Sequence, residues 1–421
     1  MAVQEHVVLD APETRRYLED LVRVWLGIDD RRIDVPRLPS NLARLLLRLE
    51  EYEDGGRDPW GCWSFAASEN FQRGTLFEPE VDLWLRERRN ELSRSHRLVP
   101  LWPHGRRFAV CLTHDVDLMS LQLTPGQALR YARAGLAPGI PGVGQGLLRV
   151  IRPPVRLARS VRSGIVRAPS LRDTLERPVA LEAERGAAAS YFFTVPPPGP
   201  RSRYDCVYAP TDRCLFREKR MRVADLMRTL VDEGFDVGLH GGYAAALTPG
   251  VLTAEREILE AATGLEVTTT RQHFLRWDIH QTPLYEEEAG LLADSSLGFN
   301  STVGFRAGTS MPFHHFSVAR RQQLRLLEVP LIAQDGALLE QHGLRLDLEG
   351  ARALLRRLFD AVAGVGGVMT LLFHPDKLVY PDWLALYEWS LDHALENDAW
   401  LTSLHDLERW WRLREAAILG D

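Results

Sequence analysis

Two carboxylates, Asp115 and Asp117, stand one residue apart where the apolar run Phe108-Ala-Val-Cys-Leu-Thr-His114 stops. In an extended chain, residues i and i+2 point to the same side, so both acids face one spot at the end of a strand. Two like charges that close require a cation beside them, or one must keep its proton. The pair therefore suits a metal site in which one acid ligates the ion and the other accepts a proton.

Other strand candidates also end in ligand-capable side chains. Phe235-Asp-Val-Gly-Leu leads to His240, and Gly241-Gly242 behind it are expected to turn the backbone sharply and leave the imidazole exposed. Thr270-Arg-Gln-His-Phe-Leu-Arg-Trp-Asp278 offers Arg271, His273, Arg276 and Asp278. In Val303-Gly-Phe-Arg-Ala-Gly308, Arg306 stands among small residues, where a guanidinium can reach a carboxylate. Leu371-Leu-Phe-His-Pro375 puts His374 at the end of a clear apolar strand. One histidine at a strand terminus is ordinarily structural. Three of them, with two aspartates and an arginine at the same end of successive strands, argue for a site, because catalytic residues gather at the carboxyl ends of barrel strands.

The elements that must position these groups begin at Phe108, where strand candidates start to alternate with helical stretches. The pattern predicts strands at Ala189-Ser-Tyr-Phe-Phe-Thr-Val, Phe235–Leu239, Val267–Arg271, near Ser295, Glu328-Val-Pro-Leu-Ile, Val368–Phe373 and Trp400-Leu-Thr. It predicts helices over 223–233, 253–263, 282–292, 348–363 and 383–396, and another at the C-terminus. Such repetition over some 300 residues predicts a parallel α/β sheet or barrel. Residues 1–105 read as a mostly helical region, with amphipathic helices after Pro39 and Glu78 and a packed loop at Trp60-Gly-Cys-Trp-Ser-Phe65. No catalytic cluster stands out there, and a structural or substrate-shaping role is expected. Within 106–421, a Gly/Pro/Arg-rich insertion at about 119–175 reads as a solvated loop, with peripheral contact to an anionic surface such as lipid headgroups as the alternative.

Composition limits the partners. With 45% hydrophobic and 26% charged residues and a formal charge of −6, the chain lacks the basic balance of a nucleic-acid binder. Lys219 and Lys377 are its only lysines. Cys62, Cys111, Cys206 and Cys214 form no Cys-x-x-Cys pair; Cys111 reads as core, and Cys206 and Cys214 are spaced to bridge or to remain free thiols. The N-terminal residues have no signal-peptide pattern and no window is apolar enough to span a membrane, so a cytoplasmic location is expected.

Taken in order, Thr-His-Asp-Val-Asp117, Gly-Leu-His-Gly-Gly-Tyr243, Arg-Gln-His-Phe-Leu-Arg276, Gly-Phe-Arg-Ala-Gly-Thr309, Glu-Val-Pro-Leu331 and Leu-Phe-His-Pro375 resemble a known family. The chain is similar, over roughly residues 106–405, to the metal-dependent polysaccharide deacetylases with a nodulation-type (NodB) homology domain, in the branch with His-Asp-Val-Asp and Arg-Gln-His signatures. The resemblance implies a deformed (β/α) barrel of about seven parallel strands. It implies a hydrolase that removes acetyl groups from an N-acetylated sugar, oligosaccharide or polysaccharide intermediate with a divalent metal, zinc first, cobalt, nickel or iron as alternatives. Asp115 would be the general base, Asp117 and His240 metal ligands, Arg306 the partner that orients and charge-pairs with Asp115, and His374 the general acid.

The sequence departs from that pattern twice. The family's His-x-x-x-His motif would place a third ligand at the position of Ala244, and His273 is the candidate replacement, ahead of Asp278 and His280. Gly308 stands where the arginine motif has proline. Trp277, Phe305, Phe313 and His314 are candidates to line the sugar pocket, with core packing as the equal alternative for the aromatics. Competing readings are a deacetylase-like binding protein without turnover, a haloacid-dehalogenase-type phosphotransferase, and an Asp-x-Asp glycosyltransferase. Met119 stands where the dehalogenase type has Thr or Val, with only Lys219 or Lys377 for its later lysine, and the glycosyltransferase does not explain three histidines at strand ends.

Overall fold

The computed structural model describes residues 5–53, 55–119 and 174–420. The insertion expected at about 119–175 lies outside these residues except at its edges. Among the described residues there are twelve strands: β1 Phe108–Asp115, β2 Ser190–Phe193, β3 Arg213–Phe216, β4 Lys219–Arg222, β5 Asp236–Gly241, β6 Thr269–Gln272, β7 Ala293–Asp294, β8 Phe313–Ser317, β9 Gln322–Glu328, β10 Ala333–Gln334, β11 Val368–Leu372 and β12 Ala399–Thr402.

One sheet runs in the order β10-β11-β1-β2-β5-β6-β7-β9-β8, with β12 beside the first half of β1. Every pairing in it is parallel except β8–β9. The two strands β9 and β10 are one stretch of chain, broken only by Val329-Pro-Leu-Ile332. Within that break the amides of Val329 and Leu331 donate to Asp294 and Leu297 on the β7 side, at 2.9 and 3.1 Å, and the amide of Ile332 donates to Thr370 of β11 at 3.2 Å. Pro330, which has no N–H to donate, sits in this break between the two strands. The sheet thus closes on itself as a deformed (β/α) barrel of β1, β2, β5, β6, β7, the β9–β10 run and β11, in agreement with the sequence expectation. The curl also shows inside. Three strand spacings would hold β1 and β6 about 14 Å apart in a flat sheet, yet Arg271 of β6 donates from Nη2 to Thr113 Oγ1 of β1 at 3.0 Å.

Strands β1, β2, β6 and β11 are buried along their whole length, as expected where helices cover one face and the barrel interior the other. The covering helices span Glu176–Glu184, Val223–Asp232, Val251–Thr263, Thr282–Glu288, Leu348–Val365, Pro381–Glu396 and Leu404–Leu419. The helix expected over 282–292 is shorter because the chain turns at Gly290, where φ is +75°.

The first hundred residues hold helices Glu5–Asp10, Pro12–Leu26, Ser40–Leu46, Glu69–Gln72 and Glu80–Leu92. Their apolar faces share a core with the barrel: Leu21, Trp25, Leu46 and Val81 pack in one cluster with Ala109, Cys111, Trp277 and Leu327. Polar pins cross the same boundary, with Trp25 Nε1 donating to Pro312 O at 2.8 Å and Asn70 Nδ2 to Phe305 O at 2.7 Å. Among the described residues, no helix is long and apolar enough to cross a membrane.

Candidate metal and catalytic site

Asp115 closes β1, His240 lies one residue before the end of β5, His273 follows β6, Asp335 follows β10 and His374 stands two residues beyond β11. All five occupy carboxyl ends of barrel strands. Asp117, two residues past β1, lies at their centre: its Oδ1 is 3.3 Å from His240 Nε2 and 3.5 Å from His273 Nδ1, and its Oδ2 is 3.9 Å from His374 Nε2.

The two imidazoles are oriented from behind. His240 Nδ1–H donates to Arg271 O at 2.9 Å, and His273 Nε2–H donates to Tyr204 O at 2.7 Å. Their remaining nitrogens, His240 Nε2 and His273 Nδ1, therefore face each other at 2.8 Å beside the Asp117 carboxylate. Without a cation one proton must lie between them. Burial works against a charge on either ring, but Asp115 and Asp117 hold His240 above its ordinary value, while burial keeps His273 below its own. Asp117 keeps 30% of its side chain exposed; its partial desolvation alone would raise its pKa, but the surrounding histidines hold it well below the usual carboxylate range.

These residues fit a divalent ion. Bonds of about 2.0–2.1 Å from a tetrahedral zinc to nitrogen and oxygen place neighbouring donors about 3.3 Å apart; Asp117 lies 3.3 and 3.5 Å from the two imidazole nitrogens, and these, at 2.8 Å from each other, are closer than that edge. Each ring is fixed by a backbone carbonyl on its far side, the usual support of a metal-binding histidine. Asp115 is only 3% exposed, and its Oδ1 is buried without a hydrogen-bond partner. A carboxylate oxygen left that way is costly unless a ligand or reactant uses it.

On the other side, His374 is clamped by Asp335, whose Oδ1 is 2.7 Å from Nδ1 and whose Oδ2 accepts the backbone amide at 2.9 Å. Burial lowers the pKa of this imidazole, but the Asp335 charge and hydrogen bond, with Asp117 and Asp115, outweigh it and raise it to about 10. That pKa favours the imidazolium form at neutral pH, and its Nε2 faces the Asp117 carboxylate at 3.9 Å.

Several sequence expectations need correction. Arg306 does not meet Asp115: its Nε and Nη2 donate to the two oxygens of Glu51 at 2.9 and 2.7 Å, and its Nη1 to Gly298 O at 2.9 Å. Glu51, from the N-terminal region, captures the guanidinium. Gly308 has φ +66°, closed to proline, which explains the departure from the family motif there. Gly241 and Gly242 do not expose His240, which is 1% exposed, and neither has positive φ. They are small because a Cβ would come within 2.2 Å of Gln272 Oε1 and 2.6 Å of Glu255 Oε1, respectively. Trp277, Phe305 and Phe313 are core, and His314 is held by Glu415 at 3.0 Å. Asp278 pairs with Arg57, and exposed His280 packs on Tyr52.

Partly exposed rings of another set surround the cluster. Phe274 lies 4.5 Å from the His273 ring, Trp60 stacks on Phe274 at 6.1 Å, and Tyr204 packs against Tyr243 at 4.5 Å. Sequence reasoning also missed Asp335 and Cys206. Asp335 follows a two-residue strand, where the strand-end rule could have found it. Cys206 lies in a polar loop, with Sγ 3.6 Å from Asp117 Oδ1. Neither it nor Cys214 is in a disulfide, so the two do not bridge.

The class that fold and site define is a deformed (β/α) barrel with a carboxylate–histidine centre at its carboxyl mouth. No family model and no curated protein matches the chain. Among solved structures it is similar to a Mycobacterium smegmatis protein assigned as a polysaccharide deacetylase, at 19% identity and TM-score 0.46, covering 76% of this chain and 96% of that one. It is also similar to the Puue allantoinase at 15% identity and TM-score 0.46, covering 76% and 95%. A third is the peptidoglycan deacetylase PdaC of Bacillus subtilis, at 12% identity and TM-score 0.31, covering 76% and 98%.

Proposed function

We propose that this protein is a metal-dependent hydrolase that removes acetyl groups from an N-acetylated sugar or oligosaccharide. The observation that carries the reading is the convergence of Asp117, His240 and His273 on one point, flanked by an unpartnered Asp115 oxygen and by the His374–Asp335 pair. Names of structural neighbours, polysaccharide and peptidoglycan deacetylases among them, are in keeping with it. His273 stands beside His240 where the gap at Ala244 had motivated a reading without turnover.

Asp117, His240 and His273 would hold the ion. Bound there, a divalent cation acts as a Lewis acid toward the acetyl carbonyl and lowers the pKa of coordinated water to about 7. Asp115 Oδ1, which has no other partner, receives the proton as water attacks. His374, kept protonated by Asp335, gives its Nε2 proton to the departing amine. The rings of Trp60, Tyr204, Tyr243 and Phe274 offer faces for the apolar side of a sugar. Their nearness to His273 would set the acetyl group over the ion.

Acetate release from N-acetylated oligosaccharides tests the reading, with metal content measured on the same samples. Zinc-loaded protein should release acetate, and Asp115→Asn should keep the metal and lose turnover by about 100-fold or more, the lower bound of the range for a general base. A purified protein that binds no divalent metal, or an Asp115→Asn variant of undiminished rate, sinks it.

A further inference from the structure

Cys206 is the one thiol in contact with the Asp117 carboxylate among the described residues, and nothing in the mechanism above uses it. It is 8% exposed and lies in the loop between β2 and β3. One contact pins that loop to the chain after β5, where Asp205 accepts the amide of Tyr243 at 2.8 Å. Two more stiffen the loop itself: Asp205 accepts the amide of Ser202 at 2.6 Å, and Arg201 Nη1 donates to Cys206 O at 2.9 Å. The same loop supplies Tyr204 O to orient His273. The thiol is therefore held, not adventitious.

The donor spacing then becomes informative. The ligand atoms of Asp117, Cys206 and His273 all lie within 4.8 Å of one another. For bonds of about 2.3 Å to sulfur and 2.0 Å to oxygen, a tetrahedral edge between them is about 3.5 Å, and Asp117 Oδ1 to Cys206 Sγ is 3.6 Å. Together with the Asp117–His240 spacing of 3.3 Å, the carboxylate oxygen is placed as the shared corner of several such edges.

We propose that Cys206 is a thiolate ligand of the ion, completing an Asp117–His240–His273–Cys206 donor set. The inference rests on the metal-centre reading above and deepens it. The Sγ–H proton leaves to solvent as the sulfur–metal bond forms. A sulfur donor shifts preference toward thiophilic ions, zinc, cobalt and iron(II), and away from magnesium, calcium and manganese. Zinc expands to five-coordination in catalytic sites, so a fourth protein donor leaves the chemistry a position to use.

Two spectroscopic measurements on the full chain test this without recourse to activity. X-ray absorption of the zinc-loaded, unaltered protein should show one sulfur scatterer at about 2.3 Å beside nitrogen and oxygen at about 2.0–2.1 Å. Cobalt-loaded protein should show a sulfur-to-cobalt charge-transfer band in the near ultraviolet, lost in Cys206→Ser at equal cobalt content. Bound metal with only nitrogen and oxygen neighbours, or a band that survives Cys206→Ser, overturns the thiolate assignment and leaves the metal-centre reading standing. Protein that takes up no zinc or cobalt overturns both.

Discussion

Asp335 holds His374 with both carboxylate oxygens, one at 2.7 Å from Nδ1 and the other accepting the backbone amide at 2.9 Å. The first bond fixes the ring so that Nε2 faces the Asp117 cluster, and the second ties the carboxylate to the same turn. The result is an acid whose position and charge are set by one residue. The logic is that of a carboxylate orienting a catalytic imidazole.

Asp335→Asn removes the charge and keeps the shape. His374 must be protonated to serve as an acid, so activity persists below its pKa and fails above it. With the pKa raised to about 10 by Asp335 against the lowering effect of burial, the alkaline limb of the kcat profile should lie well above neutrality in the unaltered enzyme. In Asp335→Asn it should move to lower pH, and kcat near neutrality should fall by about 10²-fold or more, the lower bound of general-acid catalysis. An alkaline limb that stays in place would show that another group is the acid.

The same pair makes the metal-free protein's stability depend on pH. The folded pKa of His374 lies above its unfolded value, about 6.5, so its contribution is fully present below pH 6.5 and is lost as pH rises through about 10. Melting temperatures of chelator-treated protein and of Asp335→Asn should differ most at acidic and neutral pH and converge above pH 10. A constant difference across that window would refute the assignment.

His273→Ala takes away one of the three nitrogen and oxygen donors. Loss of an outer-shell partner alone costs roughly 10–100-fold in metal affinity, so loss of this ligand should cost at least ~100-fold. Adding Ala244→His should not restore it, because Ala244 is exposed at the start of the turn Ala245–Leu247, whereas His240 and His273 are buried. Isothermal titration with zinc reads both variants, and unchanged affinity in His273→Ala would remove His273 from the site.

Much of this arrangement was legible in the sequence, and the physical reason is burial. Strands β1, β2 and β11 read as apolar runs because both of their faces are covered, and β1 ends at Asp115 while His374 stands two residues beyond β11. The hairpins β3–β4 and β8–β9 were missed. In β3–β4 the exposed, charged run Lys219-Arg-Met-Arg222 carries no core signal, and β8 is interrupted by a bulge between His314 and Phe316. Residues whose role depends on chain path alone stayed hidden. Cys206 reaches Asp117 from a polar loop and Glu51 reaches Arg306 across 255 positions, so neither spacing leaves a local pattern. The arginine motif was visible, but its partner was not.

That partner yields the last prediction. Arg306 and Glu51 are 1% and 3% exposed at the side chain and form a two-point ion pair across the boundary between the N-terminal helices and the barrel. Arg306 also lies over the rings of Trp277 and Phe299, at 5.5 and 5.6 Å, so the cation is enclosed on all sides by packed groups. Removing one member leaves a buried charge without its counter-ion, a loss of about 3–5 kcal/mol, whereas replacing both by apolar residues is often neutral. Glu51→Ala should lower the urea midpoint by the equivalent of that energy, and Glu51→Met with Arg306→Met should recover most of it. If Arg306 instead served Asp115, the double variant would lose acetate release however stable it became. Retained zinc binding and acetate release in a refolded double variant would place Arg306 among the groups that join the two parts of the chain, and their loss in a stable, metal-loaded double variant would return it to the active site.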